Sequence, residues 1–389
     1  MLGMLFLCRT ALGLEFETVG SAADSLGSEF HFSHAQIGTL IGMFMLPGML
    51  VALPSGYAGR YVSDRVLVGI GLLALALGGF VASQANGFDW LAAGRIACGV
   101  GFVLSSLYFS KMTVDWFAGK ELATAMAVLV VSWPFGIAAG QIGYPWLAEA
   151  YGWRATFYVP AGYCVAAAAL VFLSYRPPAR HSSEPDSVPL GLPWRELALT
   201  LIASLVWALF NAAYIVYLSF APQVLVENGY AAAGAAAVIS LSSWTMIISG
   251  PLWGHVADRT GRRDLVLYVG LMVGVGSLLS LSHASLAVPL SLAFGFMGVA
   301  PAGIIMALTG ESMSPQRRAF GMGIFLTGYY VLVAPAPAFA GWLFDRSGDA
   351  SRATLFAAAL FAAAALANFA FRLTQKAVRV RLADDRPSP

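Results

Sequence analysis

Four charged residues, Arg9, Glu15, Glu17 and Asp24, stand in an otherwise apolar stretch at residues 2–24. Ionisable side chains held among apolar ones are costly, so they mark sites for protons, ions or charged solutes. At about 100° per residue, Arg9, Gly13, Glu17, Gly20 and Asp24 share an arc of about 80° on a helix, while Glu15 points about 160° from Glu17. One helix therefore cannot aim both carboxylates into one cavity. Glu17, on the face of the glycines, is the expected cavity residue, and Glu15 the helix-contact residue. A carboxyl group in poorly hydrated surroundings holds its proton more tightly, so proton coupling is the chemistry expected of Glu17.

A second buried cation, Arg95, lies about six residues inside another apolar segment, where exposing it to lipid would cost several kcal/mol. It is expected to face the central cavity or a carboxylate. Arg9 and Arg95 together offer positive charge to a small anion. If Glu15 and Glu17 neutralise both, a neutral or cationic solute is the alternative. The run Ser132-Trp133-Pro134-x-Gly136-x3-Gly140 places Trp133 beside a proline that removes a backbone hydrogen bond and bends the helix. Asn211 and Tyr214 share a helix face and Tyr217 lies off it; Ser240, Ser243, Trp244, Tyr329 and Tyr330 are further candidates. For each, helix packing or interfacial anchoring is the equal alternative to solute contact.

Other chemistries find no support. His31 and His34 have no third partner at metal-ligand spacing, so no metal is expected. A phosphate-cradling Gly-x4-Gly-Lys-Ser/Thr is missing from the sequence, so no nucleotide or other cofactor is expected, and no enzyme. Cys8, Cys98 and Cys164 all fall in apolar segments and read as buried thiols rather than disulfides.

The elements that position these residues follow from composition. With 389 residues, 59% hydrophobic and only 11% charged, and a mean hydropathy of +0.74, the chain cannot clothe a soluble globule. About 20 apolar residues form a helix that crosses a core of roughly 30 Å, and such segments lie at 2–24, 35–58, 66–84, 89–110, 122–145, 154–174, 196–220, 232–253, 264–282, 286–309, 319–341 and 352–373. Each must be helical, because backbone polar groups in lipid need partners in their own segment. Pro301, Pro335 and Pro337 predict bent or broken helices. The first segment has no basic leader and no small-residue cleavage site, so a cleaved signal peptide is not expected.

With both termini inside, 17 of the 22 Lys and Arg fall on the cytoplasmic side and three, Arg154, Arg346 and Arg352, outside, as the positive-inside rule requires. Arg176–Pro193, rich in Pro, Ser and charge, predicts a cytoplasmic linker. The flanking parts repeat: Trp146-Leu147-x-Glu149-x-x-Gly152 and Arg154-Ala155-Thr156 return as Trp342-Leu343-x-Asp345-x-x-Gly348 and Arg352-Ala353-Thr354, at offsets of 196 and 198. The expected organisation is a six-helix half at 1–175, a linker at 176–194, a second half at 195–374 and a cytoplasmic tail at 375–389.

Between the eighth and ninth segments, Gly254 to Arg263 reads GHVADRTGRR. This stretch resembles the signature loop of the major facilitator superfamily of transporters. The resemblance implies an all-α membrane protein of twelve transmembrane helices in two pseudo-symmetric halves, with Asp258, Arg259, Gly261, Arg262 and Arg263 forming a gating loop that latches the cytoplasmic helix ends. The first copy, Gly56 to Arg65, reads GYAGRYVSDR and departs from the pattern, leaving open whether Asp64 and Arg65 substitute there. Gly56 and Gly254 are also 198 apart. Arg95-x3-Gly99-x-Gly101 is similar to a second family pattern, whose arginine is associated with proton or substrate coupling; a structural ion pair is the alternative. Trp116-Phe117-x3-Glu121, Ser-Trp-Pro and the shifted first signature are loosely similar to the cyanate, nitroimidazole and nitrate transporter group. The Gly-Pro pattern of drug/proton antiporters is not matched.

The sequence therefore predicts a bacterial cytoplasmic-membrane transporter, multi-pass, working as a monomer by alternating access. Its partners are a small organic or inorganic anion, protons and the lipid bilayer, not nucleic acid. Proton-coupled efflux of amphipathic drugs is the alternative, and a non-transporting membrane sensor or assembly protein the second.

Overall fold

The structure, a computed structural model, describes residues 1–59, 61–117, 122–177, 191–314 and 317–384. The described residues form sixteen α-helices and no strand: α1 (Leu2–Ser21), α2 (Ala23–Phe30), α3 (His34–Met43), α4 (Gly48–Ala58), α5 (Asp64–Ser83), α6 (Phe88–Phe117), α7 (Leu122–Tyr151), α8 (Ala155–Ser174), α9 (Trp194–Glu227), α10 (Ala232–Thr260), α11 (Arg263–Ser280), α12 (Ala287–Ala293), α13 (Ala302–Ser312), α14 (Arg318–Val333), α15 (Ala336–Ser347) and α16 (Ser351–Asp384). Eleven stretches among these residues are long and apolar enough to cross a membrane. The charges of α1 keep it out of that set, yet it is 20 residues long and most of its side chains are buried by neighbouring helices. Counting α3–α4, α12–α13 and α14–α15 as one crossing each, the twelve expected spans are all present.

Three spans break where proline withholds an N–H, α3 and α4 parting at Pro47. Before Pro301 the chain makes a π turn, Phe294–Gly298, with Val299 N bonded five residues back to Phe294 O, the local widening that kinked helices use. At Pro335 the eleventh span divides into α14 and α15.

Helix ends differ from expectation in three places. The GHVADRTGRR segment is not a loop. α10 continues through Thr260, Gly261 terminates it in the left-handed region at φ 66°, and Arg263 already opens α11. Second, α16 runs to Asp384, into the stretch expected as a tail, because no Gly or Pro interrupts the sequence before Pro387. Third, α1 stops at Ser21 and the chain turns at Ala22, so Asp24 is an exposed residue of α2 and leaves the Glu17 face. Arg60, Lys120, Glu121 and most of the expected linker lie outside the described residues.

Close helix crossings fix the layout. A Cβ on Gly13 of α1 would lie 2.3 Å from Trp133 O of α7, and one on Gly136 would lie 2.4 Å from Thr10 O. Only hydrogen fits at that crossing, as in other small-residue membrane interfaces. Between the halves, α3 packs on α15, α4 on α14, and α7 on α10.

Candidate functional site

Arg9 is buried against α7 beside Pro134. Its Nη1 donates to Leu129 O at 2.8 Å, to Ser132 Oγ at 3.0 Å and to Val130 O at 3.4 Å. Pro134 has no N–H to give the carbonyl four residues back, and that carbonyl is Val130's. The guanidinium thus reaches the one carbonyl left open by the proline, Val130 O, as well as Leu129 O, while its Nε is buried without a partner. Beside it, Trp133 packs edge-on against Phe16 and Phe102, with centroids at 5.5 and 5.4 Å, and its indole N–H is likewise buried and unpaired.

The two glutamates diverge as helical geometry demands. Glu15 points among α5, α6 and α8 and is fully buried. Its carboxyl oxygens meet the thiols of Cys98 at 3.7 Å and Cys164 at 3.8 Å, in space that Gly79 leaves free, since a Cβ there would lie 2.7 Å from Oε1. Glu17 instead faces α7, accepts from Ser21 Oγ at 3.2 Å and sits against Gly140, whose added Cβ would lie 3.1 Å from Glu17 Cβ.

Arg95 is held mainly by backbone, with the Glu15 and Glu17 carboxylates near enough to act on its charge. Its side-chain hydrogen bonds reach neither a cavity group nor a carboxylate: they run to Glu15 O at 2.8 Å, Phe16 O at 3.2 Å, Leu40 O at 3.2 Å and Thr18 Oγ1 at 3.1 Å. The guanidinium also lies 4.5 Å from the Phe44 ring centre. Backbone carbonyls have a second lone pair to offer, and Arg95 uses it to bind α1 and α3 to α6. A signal existed in Thr18, one turn beyond Glu15, but carbonyl partners leave no mark in a sequence.

In the second half, Asn211 donates to Trp207 O one turn back, at 2.8 Å. The Tyr214 hydroxyl meets Ser243 Oγ of α10 at 3.1 Å. Tyr329 packs on Tyr330 at 4.7 Å and Trp207 at 6.3 Å. Tyr214 thus ties α9 to α10 and Tyr329 packs α14 on α9, while Tyr217 stacks on Phe294 at 4.0 Å.

The two ends of the molecule are held differently. On the Asp258 face, the ion pairs among the described residues stay within a half: Asp258 Oδ1 with Arg263 Nη2 at 2.6 Å, Asp64 with Lys111 Nζ at 2.5 Å, and Arg372 with Asp264 at 2.8 Å and with Glu311. Arg259 and Arg262 are exposed, and Arg65 lies over the Phe172 ring at 5.7 Å. On the opposite face, one carboxylate joins the halves. Asp345 of α15 accepts from the backbone N–H groups of His34 and Ala35, both at 2.8 Å, and its Oδ1 is also 2.8 Å from His34 Nδ1. Below this contact the backbones touch, since a Cβ on Gly38 would lie 2.0 Å from Pro337 O. Residues 311 apart in sequence gave no hint of this pairing.

The chain is similar to solved and curated transporters along nearly its whole length. A bacterial homologue of the human lysosomal transporter Spinster superposes with a TM-score of 0.74, at 16% identity, covering 100% of this chain and 98% of that one. The 3-(3-hydroxy-phenyl)propionate transporter of Escherichia coli (strain K12) is 25% identical over 83% of this chain and 81% of its own length. The hexuronate transporter of Bacillus subtilis (strain 168) is 22% identical over 94% and 93%. The Major Facilitator Superfamily model matches residues 5–231 and 199–387, and so the chain belongs to the major facilitator superfamily, as a multi-pass membrane transporter of a small solute and not an enzyme.

Proposed function

We propose that this transporter carries a small organic anion with protons, by alternating access, at a site between the halves 1–175 and 195–374. The observation that carries this reading is the pair of buried donors without partners, Arg9 Nε and Trp133 Nε1. Both groups only donate, so what completes them is an acceptor, and a carboxylate supplies the strongest one. The two curated relatives described above are named for solutes that are carboxylates. Glu17, next to the α1–α7 crossing, is the proton carrier. Arg95 holds the carbonyls of Glu15 and Phe16 and passes movement of α1 to α3 and α6. Asn211, Tyr214 and Tyr329 complete the site from the second half.

The orientation follows from the basic residues: both termini are cytoplasmic, in a bacterial inner membrane, and the monomer has the Asp258 face inside and the His34 face outside. In this state the outer face is closed through His34 and Asp345, and the segments around Asp258 and Asp64 stand ready to latch the inner face when it closes. The linker at 176–194 and the segment from 375 lie on the inner side.

Thermal stability of the detergent-purified protein tests the proposal, with small carboxylates compared against lipophilic cations. A ligand at 100 times its dissociation constant stabilises by about 2.7 kcal/mol. Stabilisation by carboxylates that is lost in Arg9→Ala supports the reading. Stabilisation by lipophilic cations alone overturns it in favour of drug efflux.

A further inference from the structure

Gln141 on α7 is 1% exposed, and neither its amide nitrogen nor its amide oxygen has a hydrogen-bond partner. Buried polar groups are nearly always paired, and an exception calls for a reason. Its position supplies one. Gly140, the preceding residue, is where Glu17 rests on α7, and the Gln141 side chain faces the Glu17 carboxyl. One turn on, Tyr144 is committed to Leu14 O at 2.9 Å, so it does not serve Gln141. On its other side α7 meets the second half, with Phe135 edge-on to Trp244 of α10 at 5.4 Å. The open amide therefore lies on a helix shared by the α1–α7 crossing and the seam between the halves.

We infer that Gln141 is a specificity-determining residue that binds a hydroxyl group of the transported anion beside Glu17. An amide with both ends open presents one acceptor and donors on adjacent atoms. A hydroxyl matches that pair, donating to Oε1 and accepting from Nε2; a hydrocarbon or a bare cation does not. This inference rests on the anion reading above and adds a hydroxyl to the solute.

The test uses matched acids, lactate with propionate and 3-hydroxybenzoate with benzoate, measuring apparent affinity by thermal shift in wild type, Gln141→Leu and Gln141→Met. Wild type should prefer the hydroxylated member by about tenfold or more, since a site built to bond a hydroxyl rejects the analogue without it. In both variants the ratio should fall close to one, and their melting temperatures without ligand should equal or exceed that of wild type, because an unpaired buried amide has been replaced by an apolar group of similar size. A Gln141 that is merely structural, or that holds only water, would leave the ratio unmoved or lower both melting temperatures, and either result overturns the inference. Wild-type binding of carboxylates with no hydroxyl preference removes the role of Gln141 and leaves the anion reading intact. Failure of every acid to bind removes both.

Discussion

Asp345 caps the helix that His34 begins. The carboxylate belongs to the second half of the chain and the helix to the first, so one side chain satisfies two N–H groups at a helix N-terminus and ties the halves together. An N-terminal cap with its charge aligned to the helix dipole contributes about 1–2 kcal/mol.

Removing that carboxylate should open the His34 face. Asp345→Ala is expected to shift the balance of the two states by about 5- to 30-fold, read as a longer distance between spin labels at Ser28 and Arg346. An unchanged distance distribution would show that the cap stabilises α3 without holding the gate.

Glu17→Gln should abolish uptake driven by a pH gradient in vesicles while solute exchange without a gradient continues. Full retention of pH-driven uptake removes Glu17 from the coupling step.

The α1–α7 crossing has no room for a methyl group. Gly13→Ala should destabilise by about 1–3 kcal/mol through overpacking, with Gly3→Ala as control, since a Cβ at Gly3 meets nothing within 4 Å. Equal melting temperatures for the two variants would contradict the crossing described.

On the inner face, among the described residues, the exposed Asp258 pairs with Arg263 of its own half. If it latches the other half when that face closes, Asp258→Asn should reduce uptake and lengthen the mean distance between labels at Tyr61 and Thr260. Normal uptake with an unshifted distance would end the latch role.

A pH effect is expected at Glu29, outside the spans. The Trp153 indole N–H at 2.5 Å, aided by Arg154 at 3.1 Å, holds its carboxyl below the usual glutamate range. A lowered folded-state value means the clasp stabilises above the ordinary glutamate pKa and is lost as pH falls through the lowered one. The melting-temperature difference between wild type and Glu29→Gln should therefore be present at neutral pH and vanish in acid below the usual glutamate range. A constant difference across that range would rule out the clasp.

The twelve crossings were legible because lipid forces each apolar segment to close its own hydrogen bonds, so length and composition suffice. The divergence of Glu15 and Glu17 was legible because helical rotation is a property of spacing alone. The hydrogen-bond partners of Arg95 were not legible, because the carbonyls of α1 are not visible as residue types. The ends of α10 and α16 were placed too early because apolar content marks where lipid stops and not where the helix stops. Gln141 was overlooked although a lone amide in an apolar span was there to see; only its lack of partners gave it meaning.

The internal repeat gives the outer closure one more property. Glu149 stands where Asp345 stands in the second copy, 196 residues earlier, and its counterpart helix, α10, begins at Ala232 with no side-chain cap, where His34 begins α3. The fastening is thus uneven: α3 is clasped to α15 by a carboxylate, while α7 and α10 meet through packing such as Phe135 on Trp244. Two shells fastened along one edge and leaning together along the other part first at the leaning edge, with the fastening as the hinge. The mouth that admits solute would then form on the α7–α10 side.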